Sequence, residues 1–472
     1  MSSISLFAAA PVFTNDAVVL GLLIIVLALI FHTASLATRG WRKFYGIVPS
    51  LLLCYFVPAL LNWPLGLIAP HWFDSGILDL IASRGVDIPN AAQLNYAELK
   101  AALTEAGITK VEYGAYEGHS QLYFVASRYL LPASLILLCL GIDFKGIINL
   151  GPKAIIMFLA ATVGIIVGGP VALLVAAYLM PDVIGADAGE LARGLSTIAG
   201  SWIGGGANQT AMKEIFEVKD DLFGTMIMVD VVVANIWMGF LLYGANISEK
   251  LDLKMGADNS AIKDLEQRVA SYRERIAEIP TTTKLFVMLA VAFGGVALSH
   301  MGSDIISPFL SQFSDTLVRY NLTSLTSGFF WLVVIATTYG LVLSFTRARQ
   351  LEGVGASRWG SIFIYVLVAT IGMKMNLGEV FSNLGLFAIG IIWMLIHVSI
   401  LLLVAKLIKA PFFFVAVGSQ ANIGGAASAP IVASAFSPSL APVGVLMAVL
   451  GYALGTYGAL ICGQLMIAVA GG

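Results

Sequence analysis

The chain has 472 residues, 58% of them apolar and only 11% charged, with a formal net charge of −2 and a mean hydropathy of +0.90. Soluble domains carry about 25% charged residues, so one aqueous core cannot hide this much apolar surface and the bilayer must act as solvent. The near-neutral balance excludes the basic footprint of a nucleic-acid binder. Cys54, Cys139 and Cys462 lie in apolar runs with no metal-ligand or disulfide spacing, so no cofactor or metal cage is expected from them.

No basic segment followed by a small-residue cleavage site opens the chain, so the first apolar run is expected to stay as a helix. Runs long enough to span, roughly 17–25 residues each, fall near 17–37, 46–63, 122–142, 154–180, 190–217, 222–246, 284–302, 324–348, 358–375, 381–408, 410–436 and 441–468. That makes about twelve spans. Residues 305–323, with Asp315 and Arg319, are a weaker thirteenth and suit an interfacial or re-entrant helix.

Two polar stretches interrupt the pattern. Residues 64–119 carry short amphipathic pieces and a turn signal at Pro89-Asn90. Residues 247–283 form a charged connector, with a helical mix of Lys, Glu and Arg from Ala261 to Ile279. It separates a first half, 1–246, from a second half, 284–472. Basic residues near helix ends orient membrane proteins. Arg39, Arg42 and Lys43, then Lys145 and Lys153, Arg347 and Arg349, and Lys406 and Lys409 share one side only if 305–323 crosses. The basic residues of the connector oppose that arrangement, which leaves the orientation open.

The two halves resemble each other. The first contains Gly200-Ser201-Trp202-Ile203-Gly204-Gly205-Gly206-Ala207-Asn208-Gln209-Thr210, and the second Gly418-Ser419-Gln420-Ala421-Asn422-Ile423-Gly424-Gly425-Ala426-Ala427-Ser428-Ala429-Pro430. Anchoring Ile203-Gly204-Gly205 on Ile423-Gly424-Gly425 also aligns Asn235-Ile236-Trp237 with Gly455-Thr456-Tyr457. Upstream, Gly141-Ile142-Asp143-Phe144 and Gly372-Met373-Lys374-Met375 end corresponding helices. One unit is used twice, with a broken helix at 190–217 and another at 410–436.

A helix in lipid must satisfy its own backbone. Adjacent glycines weaken it by about 1 kcal/mol each relative to alanine, and Pro430 removes a donor. Such a segment breaks within the membrane only beside water, ion or substrate. Freed N–H groups can hold an anion, and freed carbonyls a cation. Paired interruptions at matching places in two halves point to a transporter site. Close packing of small residues is the competing account, but it does not explain the polar residues crowded at both breaks. The expected substrate-binding residues are therefore Ser201, Gly204, Gly205, Gly206, Asn208, Gln209 and Thr210 in one copy. In the other they are Ser419, Gln420, Asn422, Gly424, Gly425 and Ser428.

Asp230 sits mid-span between Val229 and Val231. An ionised carboxylate there costs several kcal/mol unless paired, protonated or bound to a cation. It is the leading candidate for the coupling ion, with Asn235, Thr456 and His397 as further candidates and a sodium site at Asp230, Asn235 and Gln420. The second copy has Leu450 at the aligned position, so the charge is not duplicated. His397, deep in a span, reads equally as a proton relay or as a structural histidine. Lys213 and Glu214 follow the first motif as a gate or an interface marker.

At these residues the chain resembles family 819 of the domains of unknown function, a prokaryotic multi-spanning family. The similarity lies in Tyr129-Leu130-Leu131-Pro132-Ala133-Ser134-Leu135, in the first glycine motif, in Asp230 with Asn235-Ile236-Trp237, in Ser419-Gln420-Ala421-Asn422-Ile423-Gly424-Gly425, and in Gly451-Tyr452-Ala453-Leu454-Gly455-Thr456-Tyr457. The resemblance implies membership of the superfamily of cation:proton antiporters and anion transporters. It implies two inverted repeats whose broken helices cross at the midplane, core and panel domains, a homodimer built on the panel, and a multi-pass location in the cell inner membrane. Where the family has proline and threonine after the second glycine pair, this chain has Ala426, Ala427 and Ser428.

The expectation is an all-α polytopic membrane protein that acts as a secondary active transporter. It would be coupled to sodium or protons and move a small polar, carboxylate-bearing solute such as an amino acid, organic acid or short peptide. The alternatives are a cation:proton antiporter without organic cargo and an ion channel. Gly-x-Ser-x-Gly, His-Glu-x-x-His and Gly-x-x-x-x-Gly-Lys are all absent from the sequence, so neither an enzyme nor a P-loop ATPase is expected. The expected partners are the lipid bilayer and a small molecule or ion.

Overall fold

The structure is a computed structural model that describes residues 10–36, 38–45, 48, 50–142, 148, 150–184, 187–257, 280–319, 323–374, 385–437 and 440–471. Asp143, Lys145 and the 258–279 part of the polar connector lie outside the described residues. The chain is an all-α polytopic membrane protein, with one two-stranded sheet among the described residues. It forms two compact units, one of Met1–Arg128 with Tyr365–Glu379 and one of Tyr129–Ile364 with Val380–Gly472.

The first unit opens with helices α1 (Asp16–Ser35), α2 (Arg39–Tyr45) and α3 (Ser50–Asn62). Asn15 caps α1 by accepting from the Ala17 N–H, one of the donors a helix start leaves open. A small lobe follows, with strand β1 (His71–Phe73), α4 (Gly76–Ser83), α5 (Tyr96–Glu105) and strand β2 (Glu117–His119). The strands pair antiparallel, His71 opposite His119 and Phe73 opposite Glu117. Phe73, Ile77, Ile81, Leu99, Leu103 and Tyr113 fill the lobe's own core. The Pro89-Asn90 turn is real: Asn90 takes the left-handed conformation at φ 55°, which asparagine tolerates. Asn95 and Glu98 close a capping box on α5. The lobe is tied to α1, since Asp16 accepts from the Ser120 hydroxyl at 2.5 Å and the Gln121 N–H at 2.9 Å.

The second unit contains α6 (Leu131–Leu140), α7 (Pro152–Leu179), α8 (Ala188–Gly204), α9 (Gly206–Ile215), α10 (Asp220–Asn246), α11 (Thr282–Ser311), α12 (Gly328–Ser344), α13 (starting at Ala356), α14 (Gly385–Leu407), α15 (Phe412–Ile423), α16 (Gly425–Phe436) and α17 (Ala441–Val469). Two hydrophobic clusters organise it. Phe158, Leu241, Leu401, Phe413, Val432 and Met447 join α7, α10 and α14 to α17. Ile136, Met288, Ala292 and Ala336 join α6, α11 and α12.

Six described helices are long and apolar enough to cross a membrane, or eight if each of two bent pairs is one span. This is fewer than the twelve apolar runs because breaks divide several runs into pieces too short to cross alone. Phe412–Ile423 is such a piece: its 12 residues rise only about 18 Å against a core of about 30 Å.

Candidate functional site around the two helix breaks

Both glycine motifs fold as interrupted helices. α8 ends and α9 begins at Gly205, with φ 74° and ψ −172°. α15 and α16 meet at Gly424, and Gly425 follows at φ 57°. The second glycine of each aligned pair therefore has positive φ, where a Cβ is strained and glycine is not. At each break the last carbonyls of one helix and the first N–H groups of the next fall outside both ladders.

The breaks converge on α17. Gly204 lies against Gly455 so closely that a Cβ on Gly204 would meet the Gly455 Cα at 2.7 Å. A Cβ on Gly451 would lie 2.6 Å from the Ile203 carbonyl oxygen and 3.5 Å from that of Ala421. One carbonyl from each break thus faces the same bare stretch of α17.

Asp230, on α10, is buried at 5% exposure. The Ser201 hydroxyl donates to its Oδ2 at 2.6 Å, the Gln209 amide to the same oxygen at 3.1 Å, and the Trp202 indole to Oδ1 at 2.7 Å. The donors come from both sides of the first break: Ser201 and Trp202 from α8, Gln209 from α9. The carboxylate has about four acceptor positions, and these three bonds leave one for a proton or cation. Trp202 is itself held against Trp393, ring centroids 5.1 Å apart.

Asn208 sits beside this group without joining it. Its amide nitrogen donates to the carbonyls of Gly204 and Tyr452, both at 3.1 Å, and its oxygen accepts from Thr456 at 2.5 Å. Thr456 is also 3.2 Å from Thr337. Thr456 therefore serves Asn208 and not Asp230. Asn235 is not drawn to Asp230 either: its amide donates to the Val231 carbonyl of its own helix at 2.7 Å. Thr210 likewise bonds back to Gly206 at 2.8 Å.

At the second break the Gln420 amide donates to Ser428 at 2.7 Å, across the interruption. Gln420 Oε1 is buried and, among the described residues, has no hydrogen-bond partner. Asn422 is fixed to α7, accepting from Thr162 at 2.8 Å and donating to the Phe158 carbonyl at 3.2 Å. Ser419 accepts from the Trp237 indole at 2.9 Å and lies 2.8 Å from His397 Nε2, while His397 Nδ1 is 3.1 Å from the Ala161 carbonyl. Lys213 forms ion pairs with Glu214 at 3.3 Å and Asp220 at 2.9 Å.

Sequence reasoning missed Trp202, Trp237, Thr162 and Thr337 as members of these networks. The first two lie inside motifs already singled out, and their indole N–H groups were the available signal, since a buried indole needs an acceptor. Thr162 is an isolated hydroxyl in an apolar span, and Thr337 is one of a Thr337-Thr338 pair that the sequence does not tie to either break.

A family described as "Protein of unknown function (DUF819)" matches residues 100–469, which include both breaks and Asp230. An "Uncharacterized membrane protein YjcL" of Bacillus subtilis (strain 168) is 24% identical over 374 residues, 75% of this chain and 84% of that protein.

Proposed function

The chain belongs to the DUF819 family of membrane proteins, and within that family we propose that it is a secondary active transporter working by alternating access. The observation that carries this reading is the convergence of two broken helices on α17, with a carbonyl from each facing Gly451. Irregular backbone at membrane depth is tolerated where it lines a polar path, and matched interruptions in two halves are how transporters build a central site.

In this reading the freed N–H groups of α9 and α16, with the amides and hydroxyls around them, receive a small carboxylate-bearing solute such as an amino acid, organic acid or short peptide. Asp230 takes the coupling ion, a proton or sodium, at its remaining acceptor position. Among the described residues no group of three or more His, Cys, Asp or Glu side chains comes together. A sodium ion would therefore draw on Asp230 and on amide or carbonyl oxygens, Gln420 Oε1 among them. The reading includes inverted repeats with core and panel domains, a homodimer, the cell inner membrane as location, no cofactor beyond the coupling ion, and no enzymatic step.

Transport by the purified protein in proteoliposomes under imposed sodium or proton gradients tests it. Accumulation of a labelled amino or organic acid that requires one of the gradients is the expected result. A second reading, cation:proton antiport without organic cargo, is favoured by the buried carboxylate of Asp230 in mid-span. Sodium/proton exchange without solute that survives Asn208→Ala and Ser428→Ala but is lost in Asp230→Asn would replace the first reading with the second.

A further inference from the structure

Trp237 belongs to a motif that the proposed site does not use. It lies two helical turns beyond Asp230 on α10, about 10.5 Å along the axis and on the same face. Gly244 lies two turns further on that face. Each of the three touches a different part of the site. Asp230 accepts from Ser201, Trp202 and Gln209 of the first break. Trp237 donates to Ser419 in α15. Gly244 seats Phe412, the first residue of α15, and a Cβ there would run into the phenyl ring.

These contacts are in register. From Gly244 to Trp237 the stripe steps back seven residues, and from Phe412 to Ser419 the partner steps forward seven, so α10 and α15 run antiparallel. α10 packs on both α15 and α16. α10 is thus bonded to the first break through Asp230 and to the helix before the second break through Trp237.

The Trp237 bond is anchored beyond Ser419. The indole can only donate and the Ala161 carbonyl can only accept, so with a neutral imidazole the protons between them have one arrangement. Trp237 donates to Ser419, Ser419 to His397 Nε2, and His397 Nδ1–H to Ala161 on α7. All three acceptors are filled, and His397 is fully buried. This makes His397 a bracket for α15 in the described state.

We propose that the stripe Asp230, Trp237 and Gly244 is the coupling element of the protein. Binding or release of the ion at Asp230 changes how α8 and α9 grip α10, and Trp237, as a positioning residue, passes that change to α15 through Ser419. The single carboxylate thereby governs both breaks, although the second copy has none. The proposal rests on the transporter reading for its purpose but not for its test.

The test is hydrogen exchange followed by mass spectrometry on the full-length protein in nanodiscs, comparing wild type, Asp230→Asn, Trp237→Phe and the double variant. Trp237→Phe keeps an aromatic ring and removes the donor; Ser419→Ala removes the acceptor and serves if the first variant misfolds. Asp230→Asn is expected to change exchange across 412–423 by about fivefold or more, and this response should shrink towards none in the Trp237→Phe background. A purely structural tryptophan would instead loosen 412–423 equally with Asp or Asn at 230. The proposal is overturned if Asp230→Asn leaves 412–423 unchanged, or if its effect is undiminished without the indole donor. Flux in proteoliposomes separates the two readings. Coupled exchange without any sodium- or proton-driven flux defeats only the transporter reading, and flux without coupled exchange defeats only this one.

Discussion

The Thr456 hydroxyl donates to Asn208 Oδ1 over 2.5 Å, joining α17 to the first turn after the first break. The other end of the Asn208 amide is already committed to Gly204 and Tyr452, so the side chain has no spare partner for Oδ1 in this state. Thr456→Val would leave a buried acceptor unmatched, at about 1–3 kcal/mol. Thr456→Ser should restore most of that. Thermal melts in detergent compare the two, and equal melting temperatures for Val and Ser would rule out the bond as a stabilising contact.

Asp230→Asn keeps the shape and removes the charge. Ion-driven flux should fall about tenfold or more while the protein stays folded. Trp202→Phe, which removes one of three donors to Asp230, should shift the sodium or proton dependence of flux by less than Asp230→Asn does. Full ion-dependent flux in Asp230→Asn would remove Asp230 from the coupling step.

Gly205→Ala and Gly425→Ala isolate backbone strain. A Cβ on Gly425 meets nothing within 4 Å, and one on Gly205 meets only Tyr452 Cε1 at 3.9 Å. Any loss must therefore come from the positive φ angles, at about 1–3 kcal/mol each. Melting temperatures matching wild type would mean that the breaks do not need these conformations.

The lobe of the first unit should weaken in acid. Burial, then the nearby Lys374, holds the His71 imidazole below its ordinary 6.5. The Tyr96 hydroxyl, with help from Lys100 and against burial, holds the Glu117 carboxyl below its ordinary 4.5. Both folded values are lowered, so each group contributes stability that is complete above its ordinary value. That contribution is lost as pH falls through the folded one. His71 should act first on acidification and Glu117 second. Hydrogen exchange of His71–Phe73 across pH, corrected for the intrinsic rate, should rise in two stages, and Tyr96→Phe should bring the second to higher pH.

The breaks were legible because the bilayer leaves a glycine pair few other uses: the positions of Gly205 and Gly425 follow from backbone physics that the residue types carry. Asp230 was legible for a similar reason, as a charge in an apolar run. Its partners were not. Asn235 is nearer in sequence, but a short amide on the same helix reaches Val231 more easily than a carboxylate five residues away. Thr456 aligns with Ile236 of the first copy and serves Asn208, because repeat alignment reports position along a helix and not the neighbour a side chain faces. His397 reads in the sequence equally as a relay or a structural histidine, and its two contacts, with Ser419 and the Ala161 carbonyl, come from helices distant in sequence. The lobe's sheet rests on two three-residue strands, too short for an alternating pattern to register.

Gly204 and Gly455 meet without side chains. Helices that interlock through leucines must hop rotamers to move past one another, whereas two bare backbones present a smooth contact. The space left beside them holds the Asn208 amide, which is bonded to Gly204 on one helix and to Tyr452 and Thr456 on the other. The bare glycines thus make a socket for one amide, and a methyl group on either would evict it and cut the three bonds that fasten α8 to α17 there.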